Sequence, residues 1–190
     1  MGKKTQIIEA ATQLFASQGF DATTTKEIVA TAGATEPLLF YHFKGKEALF
    51  TEILDDGFAR LNQRFDALPS RTEKPFEKIE NLIGMMLDFV EAFPNETKMV
   101  LASCPARLKE SAEACQQQYD GFRGKLENYL GKCLRSGIRS KEFRKVTVPQ
   151  TVNILIALIN GLLRQHAAGQ TKRHHVRDAA ISFCRAALSA

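Results

Sequence analysis

The chain has no tryptophan, only three tyrosines and four histidines, and no arginine before Arg60. Its four cysteines, Cys104, Cys115, Cys133 and Cys184, form no CxxC pair and have no histidine at metal-ligand spacing. Neither a zinc site nor a disulfide framework is therefore expected, and reduced thiols are the default. Long apolar runs are missing too. The longest, Ile154 to Ile159, resumes after Asn160 only as far as Leu163, well short of the roughly 20 residues that span a bilayer. No transmembrane helix and no membrane partner are expected. The first fifteen residues carry a basic pair but are broken up by Gln6, Glu9 and Gln13, unlike the apolar centre of a signal peptide, so the expected location is the cytoplasm. No Ser-His-Asp, His-Glu or paired-carboxylate arrangement has a spacing suited to catalysis, and the chain reads as a non-enzyme without metal or cofactor.

What is present is an ordinary globular composition. At 190 residues with 44% hydrophobic and 25% charged side chains, the chain suits one domain, or a small module joined to a larger one. The net charge of +5 is unevenly spread: residues 1–50 hold five lysines against five acids, whereas 101–190 hold fifteen basic residues against six acidic ones. A sequence pI near 9.1 hints at nucleic acid, but the charge balance says little about where contact is made.

Helical periodicity runs through nearly every segment, and nothing shows the period-2 alternation with tight turns that marks hairpins, so the predicted fold is all-α. Helices are expected at about 3–18, 24–33, 35–43, 46–68, 75–93, 96–103, 105–137, 149–168 and 172–188. Thr24-Thr25-Lys26-Glu27 has the form of a capping box at the start of the second helix. Thr35 is the candidate N-cap of the third, where Pro37 is tolerated in the first turn.

The helices around 24–43, joined by a short turn at Gly33-Ala34, have the shape of a helix-turn-helix. Helical spacing turns Ile28, Val29, Ala32, Leu39 and Phe43 inward, which leaves Glu36, Leu38, Phe40, Tyr41 and His42 for the outer surface. From the residues alone, a plain corner between two helices fits equally well.

The run TTTKEIVATAGATEPLLFYHFKGKEALF closely resembles the DNA-binding segment of the tetracycline-repressor (TetR/AcrR) family. Thr24, Ile28, Ala32, Gly33, Thr35, Leu39, His42, Phe43, Lys46 and Leu49 meet its pattern; Val29, Ala34, Pro37 and Phe40 depart from it. Phe40 lacks the hydroxyl usual there, which shifts phosphate contact toward Tyr41 and His42. The resemblance implies a DNA-binding head over residues 1–48 and an effector-binding and dimerisation domain of helical-bundle type over 49–190. It further implies a homodimeric regulator, usually a repressor, with a ligand cavity and with a dimer interface on the last two long helices. The alternative is a helical adaptor dimer that keeps the module without binding DNA.

Without arginine in the head, the commonest specific contact, bidentate Arg to guanine, is closed to it. Glu36 is the candidate acceptor for cytosine N4, and Pro37 or Leu38 the candidate contact for a thymine methyl. Candidate phosphate contacts on double-stranded operator DNA are Lys26, Lys44 and Lys46, with Thr24, Thr35, Tyr41 and His42.

In the C-terminal half, Met85, Met86, Phe89, Phe93, Met99, Cys104, Cys115, Tyr119 and Phe122 are candidates to line an adaptable apolar cavity, although for each one core packing is the commoner role. Few charges lie on those faces, which points to an apolar, aromatic or cationic effector. Cys104 and Cys115 are eleven residues apart; buried inert thiols are the expectation and a thiol switch the alternative. Val152, Leu155, Ile156, Ile159, Leu162 and Leu163, with Ile181 and Cys184 on the last helix, are the candidate dimer interface.

Overall fold

The computed structural model describes residues 2–69, 74–102, 104–169 and 173–190. Over these residues it forms nine α-helices: α1 (Lys3–Ala22), α2 (Thr25–Thr31), α3 (Glu36–His42), α4 (Lys46–Asp66), α5 (Pro75–Ala92), α6 (Pro94–Leu101), α7 (Ala112–Arg139), α8 (Val148–Ala167) and α9 (Arg173–Leu188). Gly19 interrupts α1 with φ +83°, where a side chain would be strained, so the helix proper ends there and only a short turn follows. The capping box at α2 forms as expected: the Glu27 N–H donates to the Thr24 hydroxyl at 3.2 Å, and the Thr24 N–H donates to the Glu27 carboxylate at 2.8 Å. Thr35 precedes α3 in extended conformation but makes no side-chain cap bond.

One expected helix is corrected. The periodic pattern from residue 105 onward predicts a continuous helix to 137, but α7 begins at Ala112, and 104–111 form a loop anchored by buried Leu108. The apolar match at Leu108 reflects loop packing. Gly121 and Gly124 sit inside α7 without breaking it. The expected helix limits at 103 and 172 lie outside the described residues.

By packing, the chain divides into an interleaved pair of units, Met1–Arg60 with Asn95–Asp120, and Leu61–Pro94 with Gly121–Ala190. This differs from the sequential division at 48/49, because residues 95–120 return to pack with the N-terminal segment. In the first unit α1, α2 and α3 pack on one another. Its interior holds Ile7, Ile28, Leu39 and Leu49, and the rings of Phe15, Phe20 and Phe50 meet pairwise with centroids 5.1–5.7 Å apart. In the second unit α5 packs against α8 and α9, burying Phe76, Ile79, Leu82, Ile83 and Leu87. The segment between α7 and α8 is strapped to the chain end: the Arg144 N–H donates to the Leu188 carbonyl at 2.9 Å, and Phe143 is buried against Phe76.

Candidate nucleic-acid interface

Helix α3 is short and two-sided. Leu39 is fully buried, and Phe43 directly after the helix is 4% exposed, so this side fastens it to the head. On the other side Tyr41 is 81% and Phe40 53% exposed, which leaves two large aromatic side chains uncovered. Gly33, with φ +56°, makes the turn between α2 and α3, and the Ala34 N–H donates back to the Val29 carbonyl at 2.8 Å. The Thr25 hydroxyl donates to Glu36 Oε1 at 2.8 Å, tying the start of α2 to the start of α3. Glu36 is thereby oriented by one hydrogen bond and still has acceptor capacity left.

The lysines of the head divide into two kinds. Lys3 donates to the Gly33 carbonyl at 2.9 Å, and Lys4 pairs with Glu52 at 2.9 Å. Lys46, at the start of α4, donates to the Phe20 and Thr23 carbonyls at 2.8 and 2.9 Å, with its ammonium 4.1 Å from the Phe20 ring centroid. Lys46 therefore staples the α1–α2 corner to α4 and keeps one N–H in reserve. Lys26 and Lys44 are exposed and have no partner among the described residues. Thr24 is committed to its cap, while His42 is half-buried with its ring 5.1 Å from that of Tyr41.

A part of the head that sequence reasoning missed comes from the far side of the chain. The backbone N–H groups of Lys109 and Glu110 donate to Glu47 Oε2 at 3.3 and 3.2 Å, and Arg107 lies 4.0 Å from Asp21. Together with Lys44, Gly45 and Lys46 these residues border a groove of about 850 Å³. The loop is held closed by a disulfide between Cys104 and Cys115, whose Cα atoms are 6.1 Å apart. This corrects the expectation of reduced thiols for that pair: the loop turns back so that Cys104 meets the first turns of α7. Cys133 and Cys184 remain free and buried.

The nine candidate pocket residues fall in both units. In the first, the Tyr119 hydroxyl donates to the Met99 carbonyl at 2.6 Å, and its ring meets that of Phe58. In the second, Met86, Phe89 and Phe122 are buried, Met85 and Phe93 partly so, and the Phe89 and Phe93 rings are 5.2 Å apart. None of the nine lines a groove of about 680 Å³ in the second unit, which Phe65, Leu68 and Tyr129 border together with Lys78, Lys132, Arg135 and Arg139. Its one acid, Asp66, is paired with Lys125 at 3.4 Å.

Among the candidate dimer residues, Val152, Leu155, Ile156, Ile159, Leu163 and Cys184 are at most 6% exposed in the chain, whereas Leu162 and Ile181 are half-buried. The strongest periodic face of α8 is the one its own subunit buries. Ile154 and Phe183, 63% and 62% exposed, are the large apolar side chains that α8 and α9 leave in solvent.

A three-helix head with a glycine turn and an outward aromatic face on its third helix is a helix-turn-helix DNA-binding module. Residues 7–53 match the model for bacterial regulatory proteins of the tetR family, which supports reading the chain as a DNA-binding transcriptional regulator of that type. It is 24% identical over 172 residues to the nucleoid occlusion factor SlmA of Marinomonas sp. (strain MWYL1), covering 90% of this chain and 85% of that protein. Over 55 residues it is 47% identical to the transcriptional regulator QacR of Staphylococcus aureus (strain Mu50 / ATCC 700699), 29% of each chain. The crystal structure of AibR in complex with isovaleryl coenzyme A and operator DNA superposes with a TM-score of 0.79 at 16% identity, covering 96% of this chain and 97% of that one. No helix among the described residues is long and apolar enough to cross a membrane.

Proposed function

We propose that the protein is a homodimeric repressor that places α3 of each subunit in successive major grooves of a near-palindromic operator and is released by a small-molecule effector. The observation that carries this reading is the exposure of Tyr41 and Phe40 opposite buried Leu39. On this reading Glu36, Pro37 and Leu38 meet base edges, Tyr41 and His42 the backbone, and Lys26 and Lys44 supply phosphate charge. The dimer face is the one carrying Ile154 and Phe183, since a second copy would cover both. The effector is an amphiphilic anion: the groove beside Phe65 and Tyr129 is lined by four cations, which disfavours a cationic ligand, and AibR was solved with an acyl coenzyme A, itself an anion.

Fluorescence anisotropy on an operator recovered from random duplexes tests this. Tyr41→Ala is expected to weaken binding at least tenfold, and Phe183→Glu to yield monomers in sedimentation. Unchanged affinity in Tyr41→Ala would overturn the placement of α3, and a protein that binds no duplex would favour an adaptor that retains the module. A second reading keeps the DNA contact and changes its use. The relative matched over 90% of this chain carries the name nucleoid occlusion factor, so binding sites scattered over a chromosome instead of upstream of genes would favour that role.

A further inference from the structure

On the DNA-binding reading the Cys104–Cys115 disulfide is unusual, because intracellular compartments keep thiols reduced and disulfides there are mostly transient and redox-sensing. The other two cysteines behave as inert core: burial pushes the Cys133 thiol up to about 11, with Lys78 opposing only in part, and burial likewise raises Cys184. Cys104, by contrast, is partly exposed on a loop, while its partner Cys115 is buried in the first turns of α7. An accessible sulfur beside a protected one is the arrangement of an attacking and a resolving cysteine.

The loop this bond closes is also the loop that grips the head. Between the two cysteines lie Arg107, which faces Asp21 at the α1–α2 corner, and the amides of Lys109 and Glu110, which hold Glu47 in the first turn of α4. One residue earlier, Lys46 binds the carbonyls of Phe20 and Thr23 at that same corner. The frame from which α3 is hung is therefore hydrogen-bonded at Glu47 and faced at Asp21 by a segment whose own freedom the disulfide restricts. Cross-linking a short loop restricts its conformations, and a binding element fixed in place loses less entropy when it docks.

We propose that Cys104 and Cys115 form a reversible oxidation site that tightens operator binding when closed, an inference that rests on the DNA-binding reading above. With hydrogen peroxide as oxidant, the Cys104 thiolate attacks one peroxide oxygen and becomes a sulfenic acid, and the other oxygen leaves as hydroxide and takes up a proton to give water. The Cys115 thiol then attacks the sulfenic sulfur, forms the S–S bond and releases a second water, so two thiols lose two hydrogens and one peroxide becomes two waters. A dithiol reductant restores the open loop by thiol–disulfide exchange.

The test measures operator affinity of the full-length protein after peroxide and after dithiothreitol, beside Cys104→Ser and Glu47→Ala, which removes the acceptor of the Lys109 and Glu110 amides. The expected result is at least fivefold tighter binding by the oxidised wild type, no redox response in Cys104→Ser, and a response reduced to under twofold in Glu47→Ala, whose disulfide still forms. Affinities equal within twofold in the two states, or a tighter reduced form, would overturn the proposal. Hydrogen exchange separates this from failure of the DNA-binding reading. If neither state binds DNA, slower exchange at residues 20–23 and 46–50 in the oxidised form still supports the redox site, and identical exchange overturns it.

Discussion

The division of head lysines into engaged and free ones sets the salt dependence of DNA binding. Each cation that neutralises a phosphate contributes about 0.9 to the slope of log K against log salt. Lys3, Lys4 and Lys46 are held by Gly33, Glu52 and the Phe20 and Thr23 carbonyls, which leaves Lys26 and Lys44. Two per subunit make four per dimer, so the expected slope is about −4, or roughly a hundredfold loss of affinity between 50 and 200 mM salt. Were all five lysines used, the slope would reach about −9. Anisotropy titrations over that salt range measure it, with single lysine-to-alanine variants alongside. Lys26→Ala and Lys44→Ala should each flatten the slope by about 2, and Lys3→Ala should leave it unchanged. A wild-type slope near −9 or steeper, or a Lys3→Ala slope that flattens as much as that of Lys44→Ala, would refute the reasoning.

Three further outcomes follow from packing and charge. Lys46→Met keeps the aliphatic stem but removes a charged donor from two carbonyls, so it should cost about 2 kcal/mol, which corresponds to about 4–8 °C in Tm by calorimetry. In Gly137→Ala the new Cβ would overlap the buried ring of Phe143; overpacking costs about 1–3 kcal/mol and exceeds the gain in helix propensity of about 1 kcal/mol, so denaturant melts should show a net loss. Glu27 has its carboxyl held below its ordinary value by hydrogen bonds from the Thr24 N–H and hydroxyl. The stability it contributes is complete above the unfolded pKa and is lost as pH falls through the lower folded value. Urea midpoints of wild type and Glu27→Gln should therefore differ at pH 7 and converge under acid conditions below pH 4.5.

Much of the fold was legible because its signals are local. The capping box at Thr24, the turn at Gly33 and the apolar stripe of α4 are each written within a few residues, and each appears as expected. What could not be read depends on contacts far apart in sequence. Leu108 matched the periodic seam of α7 but is buried from a loop, and nothing near Glu47 announces that amides some sixty positions later will hold it. The cysteine pair was visible only as a spacing, since pairing depends on how 104–111 turns back. On α8 the periodicity found the face with most apolar residues, and that face is the subunit's own core. Ile154 and Phe183 stand out only once burial is known. Within the candidate interface, the outward face of α3 was legible from helical spacing, whereas the engagement of Lys3, Lys4 and Lys46 was not.

The central claim is that α3 reads DNA sequence without arginine. Selection from a pool of random duplexes by the purified protein, followed by sequencing, tests it most directly. The account predicts enrichment of a near-palindrome whose half-sites lie about one helical turn or more apart, with a base preference that shifts in Glu36→Ala. A pool that stays random, or an enriched site indifferent to every change on the outer face of α3, would contradict it.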